Sequence, residues 1–217
     1  GAASTGVVEL TNSSANTYTG GTLISSGVLR ISSTNQLGSG DVLFNGGTLQ
    51  AAGNLSFANA PTLTANSTGI DTQGHFVSFD AGIGGSGGAS GLNALNQTLN
   101  KTGSGTLIFA GDSRIGSLNI NAGSVLINGT FAGVSSGTAL TVNAGATLGG
   151  FGEITLSTTG AANTLSVLGG GAVAPGVGAG MLVVNADVSL ASGSNCAWPT
   201  GGRRLPSRMS TASCGRH

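Results

Sequence analysis

The sequence predicts an all-β fold, a parallel β-helix (solenoid) of roughly ten coils. Short alternating apolar runs closed by Gly, Asn or Ser recur along the chain, as in short strands joined by turns. No long segment repeats apolar residues at the three- and four-residue spacing of a helix. Similar segments also recur about every 20 to 22 residues, which is the signature of a stacked-repeat architecture.

The predicted strands are only three to five residues long, because turn-forming residues follow each apolar run. Their clearest examples are Thr22–Ile24, Val28–Ile31, Leu107–Phe109, Leu118–Ile120, Val125–Ile127, Leu140–Val142 and Leu182–Val184. A β-sandwich or barrel is the competing fold, since it too contains many short strands. The fixed period favours the solenoid.

The internal repeat is clearest in two segments that lie 96 residues apart. Ile24–Ile31 reads ISSGVLRI, and Ile120–Ile127 reads INAGSVLI. Val142–Leu148 repeats the first half of this pattern 22 residues after the second copy. Asn45–Leu49 is a weaker, fourth copy 20 residues after the first. We expect each unit to bury its apolar side chains only when the next unit stacks on it, with Gly providing positive φ at the corners.

The composition excludes several classes of function. Gly, Ser, Thr and Asn make up half of the 217 residues, charged residues are 6%, and the formal net charge is zero. A nucleic-acid partner is not expected, because such proteins carry a basic surface. No run of 18 or more apolar residues predicts a membrane-spanning helix, so the chain is not expected to span a membrane itself.

Two parts of different composition are predicted: a body, residues 1–194, and a basic tail, residues 195–217. The tail holds Arg203, Arg204, Arg208 and Arg216, both cysteines (Cys196 and Cys214) and Trp198, but no acidic residue. We expect it to be unstructured, with a shifted reading frame or a cloning artefact as one explanation and a genuine tail as the other. Since the chain opens without Met or an export signal, we expect an internal segment of a longer protein.

Two segments resemble the passenger-associated transport repeat of bacterial autotransporters. The first has Asn16, Thr17, Tyr18, Thr19, Gly20, Gly21 and Thr22, followed by Ile24, Gly27 and Leu29. The second starts at Lys101 and has Gly103, Gly105, Leu107, Ile120, Gly123, Val125 and Ile127, although Asp112–Gly116 departs from the usual Asn-Thr-Tyr-Thr-Gly. Residues 169–194, with Pro175 and Gly176, resemble the stretch near the end of a passenger.

The resemblance implies a right-handed, single-stranded β-helix that crosses the outer membrane of a Gram-negative cell through its own C-terminal β-barrel. The implied function is an extracellular stalk at the cell surface that assists its own secretion, with the portion from Gly105 to Ser194 folding first. It would display an adhesive surface to a host cell or a glycan. The alternatives are a standalone secreted adhesin-like or ligand-binding solenoid and, third, a carbohydrate-active enzyme.

Asp71, His75 and Asp80 form the one cluster in the sequence with metal-binding or acid–base potential. Because a metal site needs three or four convergent ligands, we interpret these residues as parts of a strand and turn and predict no metal, no cofactor and no catalytic residue. The glycine-rich stretch Gly82–Gly91 lacks the Gly-Lys-Ser/Thr of a phosphate loop and is predicted to be a turn. The body has no cysteine, which suits export through an oxidising compartment.

Overall fold

The computed structural model describes residues 6–64, 67–84, 97–133, 139–156, 163–176 and 181–196, and within these ranges the chain forms a parallel β-solenoid. Every strand pair is parallel, as between Thr98–Thr102 and Ser117–Ile120. The described ranges contain no α-helix, and one 3₁₀ turn, η1, spans Thr34–Leu37. No helix in this part of the chain is long and apolar enough to cross a membrane. The all-β solenoid prediction is confirmed.

The first face of the solenoid is a nine-stranded sheet, in which each strand pairs with the strand one coil earlier and one coil later. Its members are β1 (Val7–Glu9), β3 (Val28–Ile31), β5 (Thr48–Ala51), β8 (Ser67–Asp71), β10 (Thr98–Thr102), β13 (Ser117–Ile120), β16 (Ala139–Val142), β19 (Thr164–Val167) and β22 (Asp187–Leu190).

The second face is a seven-stranded sheet that begins in the third coil, and in the second coil η1 occupies the corresponding place. Its members are β6 (Leu55–Phe57), β9 (Phe76–Phe79), β11 (Thr106–Phe109), β14 (Gly123–Ile127), β17 (Ala146–Gly150), β20 (Ala172–Pro175) and β23 (Asn195–Cys196).

The third face consists of two shorter sheets. One contains β2 (Thr22–Ile24), β4 (Val42–Phe44) and β7 (Thr62–Leu63), and the other contains β12 (Ser113–Ile115), β15 (Thr130–Gly133), β18 (Glu153–Leu156) and β21 (Val183–Asn185). Residues 83 and 84 connect the two sheets: the Gly84 amide donates to the Pro61 carbonyl at 2.9 Å, and the Arg114 amide donates to the Ile83 carbonyl at 3.0 Å. The hydrogen-bonded stack therefore continues along this face as well.

About seven turns of the described solenoid carry a strand on the second face, fewer than the roughly ten coils predicted. Dividing the chain length by a period of 20 to 22 residues overestimated the number, because several coils are longer. Aligned first-face residues are 31 apart from Ser67 to Thr98 and 25 apart from Ala139 to Thr164. The first two coils also lack a strand on the second face.

Alternating side chains fill the interior, as the sequence pattern predicted. In β13, Leu118 and Ile120 are buried while their neighbours are half-buried on the outside. Aromatic rings stack between coils on the second face: ring centroids are 5.4 Å apart from Phe57 to Phe79 and 5.9 Å apart from Phe79 to Phe109. Each apolar side chain is thus covered by the corresponding side chain of the next coil.

The predicted strands agree with the observed ones to within two residues: the strand predicted at Val125–Ile127 begins at Gly123, and Leu182–Val184 is shifted by one residue to Val183–Asn185. The sheet continues past the predicted body boundary at residue 194, because Asn195 and Cys196 pair with Ala172 and Val173. Residues 197–217, including Trp198, lie outside the described residues, as does the predicted turn beyond Gly84.

Replacing Phe79 tests the interior stacking, with Phe76 in the same strand as a matched control. Phe79 is fully buried, whereas Phe76 is 42% exposed. We expect Phe79→Ala to lower the free energy of unfolding by about 3–5 kcal/mol because it leaves a cavity between two rings. Phe76→Ala should change it by less than about 1 kcal/mol. Equal losses in urea unfolding of the two variants would contradict this packing.

Candidate functional site

The segment Asn16–Thr22 lies on the outside of the first coil and binds the 3₁₀ turn of the second coil. The Asn16 side chain donates to the Gln36 carbonyl at 2.7 Å, and the Thr22 hydroxyl donates to the Leu37 carbonyl at 3.2 Å. The Tyr18 hydroxyl lies 2.7 Å from the Thr22 hydroxyl and 3.4 Å from the Gln36 carbonyl. These side chains bind carbonyls that the short helix leaves without an internal partner. The polar motif therefore holds one coil to the next.

Gln36 completes this contact from inside the solenoid, where its side chain is 2% exposed. Its amide nitrogen donates to the carbonyls of Leu10 and Asn12 in the first coil, both at 2.8 Å. Its amide oxygen accepts from the backbone amides of Ser32 at 2.8 Å and Ser33 at 3.1 Å. Gln36 was not among the residues predicted from the sequence. Ser33 and Gln36 form a capping box, and their Ser-x-x-Gln spacing was the signal that could have revealed it.

Glycines permit the two coils to approach at this site. Gly38 has φ = +65°, and a Cβ there would overlap the Tyr18 carbonyl oxygen and lie 2.7 Å from the Tyr18 ring. A Cβ on Gly40 would overlap the backbone of Gly21. Gly20 is different, because no atom lies within 4 Å of its Cβ position. Thr17 and Thr19 are exposed.

The second predicted segment forms a corner between the first and second faces. A Cβ on Gly103 would lie against the Asp71 carboxylate and the Gln73 amide, and a Cβ on Gly105 would overlap the His75 carbonyl oxygen. A Cβ on Gly123, which has φ = +66°, would overlap the carbonyl oxygens of Gly103 and Gly105 in the coil below. Three successive corners are therefore in backbone contact.

The remaining predicted residues of the motifs belong to the core or to a further corner. Buried core positions are occupied by Ile24, Leu107, Ile120, Val125 and Ile127, while Leu29 is half-buried against the same core. Pro175 is buried opposite Gly150, and the Gly176 amide donates to the Gly150 carbonyl at 2.8 Å.

Lys101 is fully buried at an inward position of β10. Its ammonium donates to the carbonyls of Thr102 at 2.9 Å, Gly103 at 2.8 Å and Ala122 at 2.8 Å. Burial lowers the pKa of Lys101 from 10.5 to about 8, against the opposing effect of the negative Asp71. The sequence analysis noted Lys101 only as the start of the motif, because an isolated lysine between strand residues is ordinarily exposed.

Asp71, His75 and Asp80 do not form a common site. Partial burial would raise the pKa of Asp71, but hydrogen bonds from Gln50 and Gln73 lower it below its usual value. Hydrogen bonds from the hydroxyls of Ser56 and Ser78 lower the pKa of Asp80. Among the described residues, no group of three or more His, Cys, Asp and Glu side chains is arranged to hold a metal ion. The two carboxylates hydrogen-bond to neighbouring coils.

A comparison with protein-family models matches the two segments that form these coil contacts. A model of the passenger-associated-transport-repeat matches residues 3–31 and 99–127. The two matched segments, which together make up about a quarter of the chain, are similar to this repeat. No curated protein and no solved structure matches the chain. The resemblance inferred from the motifs is confirmed, and the matched ranges contain the polar motif, the glycine corners and Lys101.

The two repeats begin on different faces of the solenoid. In the first repeat, β1 and β3 stack on the first face, with Val7 opposite Val28. In the second repeat, the corresponding β11 and β14 stack on the second face, with Leu107 opposite Val125. Gly27 therefore follows a third-face strand, whereas Gly123 follows a first-face strand, although both have φ = +66°. One repeat is a full coil plus the strand that stacks on its first strand. The repeat can therefore begin on either the first or the second face of the solenoid.

The corner glycines provide a test of the coil contacts. Gly105→Ala should lower the free energy of unfolding by more than about 1 kcal/mol, because the His75 carbonyl must shift to accommodate the methyl group. Gly20→Ala is the matched control in the other repeat. It should be neutral or stabilising by up to about 1 kcal/mol, because its Cβ position is empty. Similar unfolding midpoints for the two variants would contradict the role of close backbone contact.

The buried Lys101 predicts that stability increases with pH in the alkaline range. Below about pH 8 both folded and unfolded chains keep the lysine proton. Between about pH 8 and the ordinary pKa of 10.5, the unfolded chain binds a proton that the folded chain has released, so the free energy of unfolding increases as the pH rises. Urea unfolding at several alkaline pH values measures this increase.

Lys101→Met is the control for the pH effect, because it removes the buried amine and leaves every other ionisable group of the chain in place. The parent minus variant difference in free energy of unfolding should increase with pH across this range. A difference that stays constant would show that Lys101 titrates alike in the folded and unfolded chains.

Proposed function

We propose that the chain is an extracellular passenger segment of a Gram-negative autotransporter, a right-handed β-helical stalk that assists its own secretion at the outer membrane. The observation that carries the proposal is the presence of two passenger-associated-transport-repeats within one parallel solenoid. Right-handed winding is the usual hand of crossovers between parallel strands. The proposed translocation partner is a C-terminal outer-membrane β-barrel of the same protein.

The coil-to-coil contacts support a mechanism in which secretion and folding proceed together. Each strand pairs only with strands of adjacent coils, so a completed coil offers a row of free N–H and C=O groups to the next one. Such growth needs no long loop closure. In this proposal the portion from Gly105 to Ser194 folds first outside the cell, and its edge then orders the segment that follows through the membrane.

The outer side of the first face supports the proposal of a displayed contact surface. Its stacked positions include Asn100, Asn119, Thr141 and Ser166, which are uncharged and polar. The Asn119 amide donates to Asn100 at 3.0 Å, and the Asn143 amide donates to Asn121 at 2.9 Å. Rows of amides and hydroxyls in fixed positions suit contact with the hydroxyl groups of a glycan or a host-cell surface.

A standalone secreted, ligand-binding solenoid is the second candidate, and one groove favours it. The groove measures about 180 Å³ and lies beside η1, with Asn35, Asp41, Ser56 and Asn59 in its wall. Retention of the purified chain on a glycan array, lost in Asn35→Ala, would support this role. The gene sequence beyond the codon of residue 194 separates the candidates, because amphipathic barrel strands in any frame favour the passenger.

The secretion proposal predicts that burying polar atoms in the second repeat prevents surface display. We expect the combined change of Leu118, Ile120, Val125 and Ile127 to threonine to abolish display, because all four side chains are fully buried and each hydroxyl would lose its hydrogen bonds to water. Display is measured by antibody binding and protease accessibility on intact Gram-negative cells that express the natural gene.

The matched control places threonine at the four outward neighbours Ser117, Asn119, Ser124 and Leu126 in the same two strands. This control should be displayed at the parental level. Parental display of the core variant would refute the proposal that this portion drives secretion. A purified core variant that keeps its β-sheet circular dichroism but is not displayed would place the defect in translocation.

A further inference from the structure

Lys101 occupies a position that is otherwise aliphatic along the first face. The stacked column contains, in coil order, Leu29, Leu49, Ile70, Lys101, Ile120, Val142, Val167 and Leu190. The neighbouring Ile70 and Ile120 are fully buried, as Lys101 is. A lysine side chain loses its hydration here, so its ammonium must be compensated by protein acceptors.

The compensating acceptors belong to two successive corners. The Thr102 and Gly103 carbonyls follow Lys101 directly, while the Ala122 carbonyl lies in the corner of the next coil. The Thr102 carbonyl also accepts from the backbone amide and the hydroxyl of Thr72 in the coil below, both at 3.1 Å. Three coils therefore meet around one ammonium group.

The apolar columns do not determine the stacking register completely. Since side chains alternate with a period of two, a slip of two residues between adjacent strands keeps every apolar side chain inside. In β10 and β13 the native pairs are Leu99 with Leu118 and Lys101 with Ile120. A two-residue slip would still pair apolar or small residues, but it would move the Ala122 carbonyl away from the ammonium.

We propose that Lys101 sets the register in which the coil beginning at Ser117 stacks on the coil beginning at Thr98. The three carbonyls together accept the three N–H groups of the ammonium only in the native register. The ionisable side chains near this corner belong to Asp71 and His75, while β11, β13 and β14 contribute none. This assignment does not depend on secretion, since it concerns how the folded chain stacks.

Disulfide trapping in the purified chain tests the register, with Cys196 and Cys214 replaced by serine. Thr98→Cys with Ser117→Cys reports the native register, because these residues are direct partners. Thr98→Cys with Asn119→Cys, and Asn100→Cys with Ser117→Cys, report slips of two residues in either direction. In the native register the slipped pairs are about 8 Å apart, beyond the usual Cα separation of a disulfide.

Each reporter is refolded from urea under oxidising conditions, and the cross-linked fraction is measured by mass spectrometry. With Lys101 present we expect the native cross-link to predominate. Lys101→Met should increase the slipped fraction about tenfold, which is the effect of losing a hydrogen bond to a charged group. Ile70→Met, a change in the same column that removes no donor, should leave the fractions unchanged.

An unchanged slipped fraction in Lys101→Met would overturn the proposal, and so would an equal increase in Ile70→Met. If Lys101→Met does not refold, Lys101→Gln decides the question, because its amide retains two N–H donors. Its slipped fraction should lie between those of the parent and a chain without a donor, and a fraction equal to that of the parent would also overturn the assignment.

Discussion

Close backbone stacking between successive coils is the constraint on which the rest of this structure depends. Each strand hydrogen-bonds to the strand one coil away, and the corners between the strands must approach just as closely. At Gly38, Gly40, Gly105 and Gly123 a Cβ would overlap backbone of the adjacent coil. The abundance of glycine therefore reflects both positive φ and the space between coils.

The low content of charged residues, 6% of the chain, also follows from the close stacking of successive coils. Side chains at corresponding positions of adjacent coils lie about 5 Å apart, so like charges in one column would repel each other. Some charged residues have a partner in the adjacent coil: Arg30 Nε lies 3.6 Å from Glu9 Oε1, and Gln50 donates to Asp71 at 2.9 Å. Uncharged amides and hydroxyls stack without this repulsion, and they bind one another, as Asn119 and Asn100 do.

Gln36 and Lys101 both bind an adjacent coil from inside the solenoid, Gln36 through a neutral amide and Lys101 through an ammonium group. Both are buried polar side chains, and both donate to carbonyls of an adjacent coil at 2.8 Å. Gln36 holds the 3₁₀ turn that replaces a second-face strand, and Lys101 holds a corner between regular strands. A buried polar group is costly when its partners are lost, so each contact is sensitive to how the coils stack.

The sequence by itself determined the parallel solenoid, the predicted strands to within two residues, and both repeats, because alternating apolar residues and a fixed period are local properties. It did not determine the number of coils, because insertions such as the one between Ser67 and Thr98 lengthen a coil without changing the pattern. Only the tertiary structure decided that Gly27 and Gly123 lie at different corners, that Gln36 and Lys101 are buried, and that Asp71 and Asp80 bind separate partners. These features depend on which residues the stacking brings into contact, and those residues are about 20 or more positions apart in the sequence. A local sequence pattern does not specify such contacts.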